Sequence, residues 1–158
     1  MFYIGIDIAK ETNVACVIDD KEQMIISPFS FHSSTGGFKK LLANIQSLAC
    51  DVSDIVIGME ATGLLFENLY QYLKSLNYRV VLLNPYQTSQ FRTMDTMKYV
   101  KNDNIDSLMI ALLIKGGRYS SGYVNEDQLQ SLRVLYRHKE SLKEQLKSIQ
   151  RQTSSLLA

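Results

Sequence analysis

The sequence is poor in the features that mark several broad protein classes. It has only two cysteines, Cys16 and Cys50, among 158 residues. They lie far apart in apolar stretches, without the close pairing of a zinc site, and no secretory context suggests a bridge between them. Buried free thiols are the expected state. Net charge is nearly absent, at +1. This excludes a global field drawing in nucleic acid, so any such contact must come from local basic patches or from other domains. No apolar run is long enough to cross a bilayer. The opening residues, Met1 to Lys10, hold no basic segment before their apolar run and no cleavage site, so they are not a signal peptide. Internal repeats and low-complexity tracts are also missing. A cytoplasmic protein with no membrane partner is expected. What remains, 46% hydrophobic and 21% charged residues, is an ordinary globular composition, sized for one domain and an appendage.

The first residues alternate: Phe2, Ile4, Ile6 and Ile8 face one way, and Tyr3, Gly5 and Asp7 the other. This predicts a strand with an acid near its carboxyl end. Lys10 to Asn13 reads as a turn, Val14 to Ile18 as a second strand, and Asp19 to Lys21 as a second turn. A third strand runs from Met24 to Phe31, where Pro28 fits an edge position. Two short links in succession predict an antiparallel meander. Thr35-Gly36-Gly37 opens a helix carrying Phe38, Leu41, Leu42, Ile45 and Leu48 at helical spacing. A short buried strand starting at Ile55 ends at Glu60. A second helix follows Thr62-Gly63, with Leu65, Leu69, Tyr72, Leu73 and Leu76 on one side. Val80 to Leu83 is the fifth strand, closed by Asn84-Pro85. Residues 86–100 suggest a helix followed by a loop. Asn104 to Lys115 is a helix stopped by Gly116-Gly117. Strand-helix-strand crossovers make the later strands parallel to the first. The expected fold is α/β: a five-stranded mixed sheet with flanking helices, the RNase H-like (RuvC-like) arrangement, over residues 1–118.

Residues 119–158 are expected to form a linker and a coiled-coil-like helix. Leu135, Leu142, Ile149 and Leu156 make one seven-residue series. Leu132 and Leu146, interrupted by Lys139 and Thr153, make a second. Arg133, Arg137, Lys143, Lys147 and Arg151 give the helix a basic surface. Its leucine series favours self-association, and the basic surface suits either an oligomer or a nucleic-acid backbone. The closing Ser154-Ser155-Leu156-Leu157-Ala158 stops within the helical pattern without a cap, so a longer parent protein is expected.

Four acids stand out by position. Asp7 and Glu60 end two otherwise apolar strands, and Asp103 and Asp106 lie three residues apart at the start of a helix, on one face. Each acid taken singly suits a turn or a helix start. If they converge, their mutual repulsion calls for a hard divalent cation with oxygen ligands, Mg²⁺ or Mn²⁺. Two such ions about 4 Å apart stabilise the attacking and leaving oxygens of a phosphoryl transfer. Asp95 lacks the paired spacing, and Asp19, Asp20, Asp51 and Asp54 read as turn residues. Lys10 and Lys101 flank the acids and are candidates for nucleic-acid phosphates, with Arg92 and Lys98 weaker ones. His32 and His138 have no clustered partners.

At these residues the chain resembles the IS110/IS1111 family of insertion-sequence transposases. The similarity lies in Gly-Ile-Asp-Ile-Ala-Lys at 5–10, Glu-Ala-Thr-Gly at 60–63, Asn-Pro at 84–85 and Lys-Asn-Asp-Asn-Ile-Asp-Ser at 101–107. Asn102 and Ser107 depart from the Thr and Ala usual in the last motif, and both departures spare the acids. The resemblance implies a RuvC-like first domain in which Asp7, Glu60, Asp103 and Asp106 bind divalent metal and act on DNA phosphodiesters. It further implies a second domain with a catalytic serine, absent here, and in some members an element-encoded guide RNA. Three other readings share some of these features. A Holliday-junction resolvase has the same fold and acids. An actin-like or sugar-kinase-like ATP-binding domain has a similar opening loop, but here no second phosphate loop is found. An inactive oligomerisation module would use the last helix alone.

Overall fold

A computed structural model describes residues 1–61, 65–94, 103–117, 119 and 127–156, with side chains for all of these except 91–94, 103, 127–133 and 154–156. Two compact units divide the chain, Met1–Gly122 and Tyr123–Ala158.

The first unit is built on a five-stranded sheet in the order β3-β2-β1-β4-β5. The strands are β1 (Phe2–Asp7), β2 (Thr12–Asp19), β3 (Met24–His32), β4 (Ile55–Glu60) and β5 (Arg79–Leu83). Neighbours β1, β2 and β3 pair antiparallel, whereas β4 is parallel to β1 and β5 parallel to β4. This is the meander-then-crossover order that the short first links and the later helices predict.

Strand alternation divides the core in two. Ile4, Ile6, Ile57 and Met59 face α1 (Thr35–Gln46) and α2 (Glu67–Ser75), meeting Leu41, Ile45, Leu69 and Leu73. On the opposite face Val56, Val81 and Leu83 meet Ile110, Leu113 and Ile114 of α4 (Asp103–Lys115), while Cys16 and Ile18 meet Ala111. α4 is apolar on nearly every side, as a helix enclosed by its own domain must be. It ends at Lys115, and the positive φ of 64° at Gly117 lets the chain turn out of the helix. Burial pushes the Cys16 thiol above its ordinary range, against smaller opposing hydrogen bonds from the Ser107 side chain and the Gly5 backbone.

The structure corrects the first expected turn. Thr12 and Asn13 belong to β2, and Asn13 is buried, with 1% of its surface exposed. Its side-chain oxygen accepts from the Ala9 amide at 3.0 Å and its amide nitrogen donates to Ser33 Oγ at 3.0 Å. One polar side chain thereby ties down the loop that leaves β1 just after Asp7. Pro28 does lie on an edge strand. Around it the β2–β3 register slips twice, between Ala15 and Val17 and again between Val17 and Ile18, a bulged geometry that accommodates a residue without an amide proton.

The second unit carries α5 (Asp127–Leu156), a helix of 30 residues. Its described side chains are mostly exposed, and Lys143 and Lys147 pair with Glu140 and Glu144 at 3.0 and 3.1 Å. Among the described residues no helix is long and apolar enough to cross a membrane.

Candidate active site at the carboxyl ends of β1 and β4

The register of β1 against β4 runs from Phe2↔Ile55 to Ile6↔Met59. One further step brings Asp7 level with Glu60, so two carboxylates leave the sheet at the same end of adjacent strands. Alternation also fixes their side. Asp7 lies two residues beyond Gly5 and Glu60 two beyond Gly58, and both glycines face α4: a Cβ on Gly5 would lie 1.9 Å from the Ser107 carbonyl oxygen, and one on Gly58 would lie 2.6 Å from Ile114 Cγ2. α4 therefore rests its backbone directly on β1.

That approach determines where Asp106 goes. It immediately precedes Ser107 on α4 and is buried, at 6% exposure. Such burial of a carboxylate is costly unless the group is paired. Asp103 begins the helix one turn earlier, but its side chain is outside the described residues. Asp7, Glu60 and Asp106 are thus placed on one face and at one end of the sheet. Among the described residues no group of three or more His, Cys, Asp or Glu is close enough to hold a metal ion. The donor set is nonetheless entirely carboxylate oxygen, which fits a hard divalent cation and no soft one.

Lys10 is exposed in the loop after β1. Lys101, Lys98 and Asp95 fall outside the described residues, and Arg92 belongs to a helix, α3 (Pro85–Met94), in a part whose side chains are not described.

The sequence reading missed Thr88. This residue is buried in α3 at 8% exposure, and its hydroxyl is hydrogen-bonded to Glu60 Oε1. It also lies 2.9 Å from the Pro85 carbonyl oxygen. The chain reaches this position through Asn84-Pro85. Asn84 Oδ1 accepts from the Tyr86 amide at 3.0 Å, and its carbonyl accepts from Gln87 N at 2.9 Å. This is an N-cap followed by proline in the first helical position. Since Leu83 pairs with Glu60 across β4–β5, a helix starting two residues later passes its first turn over that carboxylate. The Asn-Pro pair was the available signal. It marked where a helix starts beside the acid, though not which of its residues would reach it.

A profile of the DEDD transposases of IS110 elements, described as "Transposase", matches residues 4–158. The chain belongs to this family. Two curated relatives, the pilin gene-inverting proteins of Moraxella bovis and Moraxella lacunata, are each 30% identical to this family member over 109 residues, which make up 69% of this chain and 33% of theirs. The chain thus spans about a third of the length of these relatives. Among solved structures, the fowlpox virus Holliday junction resolvase superposes with a TM-score of 0.51 at 13% identity, over 74% of this chain and 99% of that one. Thermus thermophilus RuvC in complex with a Holliday junction substrate gives 0.50 at 12% identity, over 77% and 99%. Such identities show the fold alone, and it is the RNase H-like fold expected from the order of strands.

Proposed function

We propose that this transposase-family chain is a DNA-cleaving domain in which Asp7, Glu60, Asp103 and Asp106 hold Mg²⁺ or Mn²⁺ for phosphodiester cleavage and strand transfer. The observation that supports it is the placement of the described acids: Asp7 and Glu60 end adjacent parallel strands, and α4 sets Asp106 on the same face by lying against Gly5.

A bound divalent ion supplies a Lewis acid for the phosphoryl oxygens and an activated water or hydroxyl nucleophile. The chain supplies the positions. Two sheet strands fix the Asp7 and Glu60 backbones to the stiffest part of the molecule, and α4 holds Asp103 and Asp106 one turn apart. Lys10, and Lys101 beside Asp103, are proposed to neutralise phosphates of the bound DNA. Self-association is assigned to α5, and use of an element-encoded guide RNA remains part of the proposal. The pilin gene-inverting relatives suggest recombination, since inverting a segment and moving one require the same strand cleavage and rejoining.

Titration with Mn²⁺ tests the reading. The wild-type chain should bind the ion, followed by calorimetry or by loss of the free-ion paramagnetic resonance signal. Glu60→Gln keeps the side-chain size, removes one negative charge, and should weaken binding at least about tenfold. Equal affinity in the two proteins would remove Glu60 from the site. Cleavage of a four-way junction by the isolated chain would favour a resolvase instead.

A further inference from the structure

Thr88 is an unusual threonine for a helix interior. A helical threonine commonly turns its hydroxyl back to a carbonyl three or four residues earlier and needs no other partner. Here the hydroxyl has that partner, the Pro85 carbonyl at 2.9 Å, and also reaches Glu60 Oε1. A hydroxyl has one proton and two acceptors are within reach. An ionised carboxylate outcompetes a neutral carbonyl for that proton, because charge-assisted bonds are roughly twice as strong. The side chain is buried, so water competes poorly for it.

We propose that Thr88 is a positioning residue for the metal-binding carboxylate Glu60: its hydroxyl donates to Oε1 and so orients the carboxylate toward the cation. The inference rests on the metal-site reading above. The β-branched side chain restricts the threonine rotamer, the hydroxyl restricts the carboxylate, and the Asn84-Pro85 cap fixes the helix that carries Thr88. Outer partners of this kind set the orientation of metal ligands, and their loss typically weakens metal affinity about 10- to 100-fold.

The test compares Mn²⁺ binding by the wild-type chain, Glu60→Gln, Thr88→Val, Thr88→Ala and Thr88→Ser, alongside the melting temperature of each metal-free protein. Thr88→Val keeps the shape and removes the donor, and it should bind Mn²⁺ about tenfold more weakly with an altered resonance spectrum of the bound ion. Thr88→Ser restores the donor and should return affinity to within about threefold of wild type. Thr88→Ala serves in place of valine if the latter fails to fold, with the same expected loss. If valine and alanine lower the melting temperature yet bind Mn²⁺ like wild type, the hydroxyl is only a packing feature and the proposal is overturned. It is equally overturned if Thr88→Ser binds as poorly as Thr88→Val. Failure of the wild type to bind Mn²⁺, or undiminished binding by Glu60→Gln, would instead overturn the metal-site reading on which the proposal stands.

Discussion

Asn13 and Thr88 act through side-chain hydrogen bonds between parts of the chain that sequence patterns treat as unrelated. Asn13 joins Ala9 to Ser33; Thr88 joins α3 to Glu60. Neither has a local signature. Asn13 sits in the polar run Lys10 to Asn13 and looks like any turn residue, because its burial depends on the β3 partner and on Ser33 closing over it. Thr88 is one of several hydroxyl residues after Asn84-Pro85, and only the docking of α3 selects it. The places of Asp7 and Glu60 at strand ends were legible for the opposite reason. A carboxylate that ends an apolar strand conflicts with its own surroundings, and that conflict can be seen in the sequence without knowing the fold. Asn13→Ala should destabilise the metal-free chain by about 1.5 kcal/mol, since it leaves the part-buried Ala9 amide without its acceptor and removes the Ser33 bond. Urea unfolding measures it, and a change below about 0.5 kcal/mol would show that water replaces the side chain.

At the scale of elements, the decisive contact is α4 on β1. Gly5 and Gly58 are directly opposed in the β1–β4 pair, and together they lower that patch of sheet so that a helix can settle on it. Their roles differ in kind. A methyl group on Gly5 meets helix backbone, at 1.9 Å from Ser107 O and 2.5 Å from Ala111 N; on Gly58 it meets the ends of Ile114 and Ile110 at 2.6 and 3.1 Å. Side chains can rotate away and a helix backbone cannot. Gly5→Ala should therefore cost about 3 kcal/mol, at the upper end for overpacking, and Gly58→Ala about 1 kcal/mol. Thermal unfolding of the two variants checks the order, and equal losses would show that α4 shifts as freely as a side chain. The helix was legible as an element, from its apolar content and its glycine stop. Its seat on the sheet was not, because a glycine in a strand signals only that something approaches closely. The extent of β2 was likewise underread: pairing with β3 carries the strand past its apolar run to Thr12, and pairing with β1 carries it to Asp19.

For the whole molecule, the pairing directions of the strands were accessible from the links between them, since two short connections favour a meander and two helical ones favour parallel neighbours. The relation of α5 to any partner was accessible only as a pattern. Leu135, Leu142, Leu146 and Ile149 are 66, 51, 56 and 58% exposed, and its surface ion pairs contribute little by themselves. A stripe of that kind is expected to be covered by a second copy. Sedimentation should show self-association of the chain, abolished by Leu142→Asp combined with Ile149→Asp without lowering the melting temperature of the Met1–Gly122 unit. A monomer at micromolar concentration would refute this. The opposite tendency is built into β3. A straight outer strand offers its free amides and carbonyls as a template on which a stranger's chain can continue the sheet. Pro28 and the two register slips beside it break that template into pieces too short to copy, so β3 gives aggregating chains little to build on.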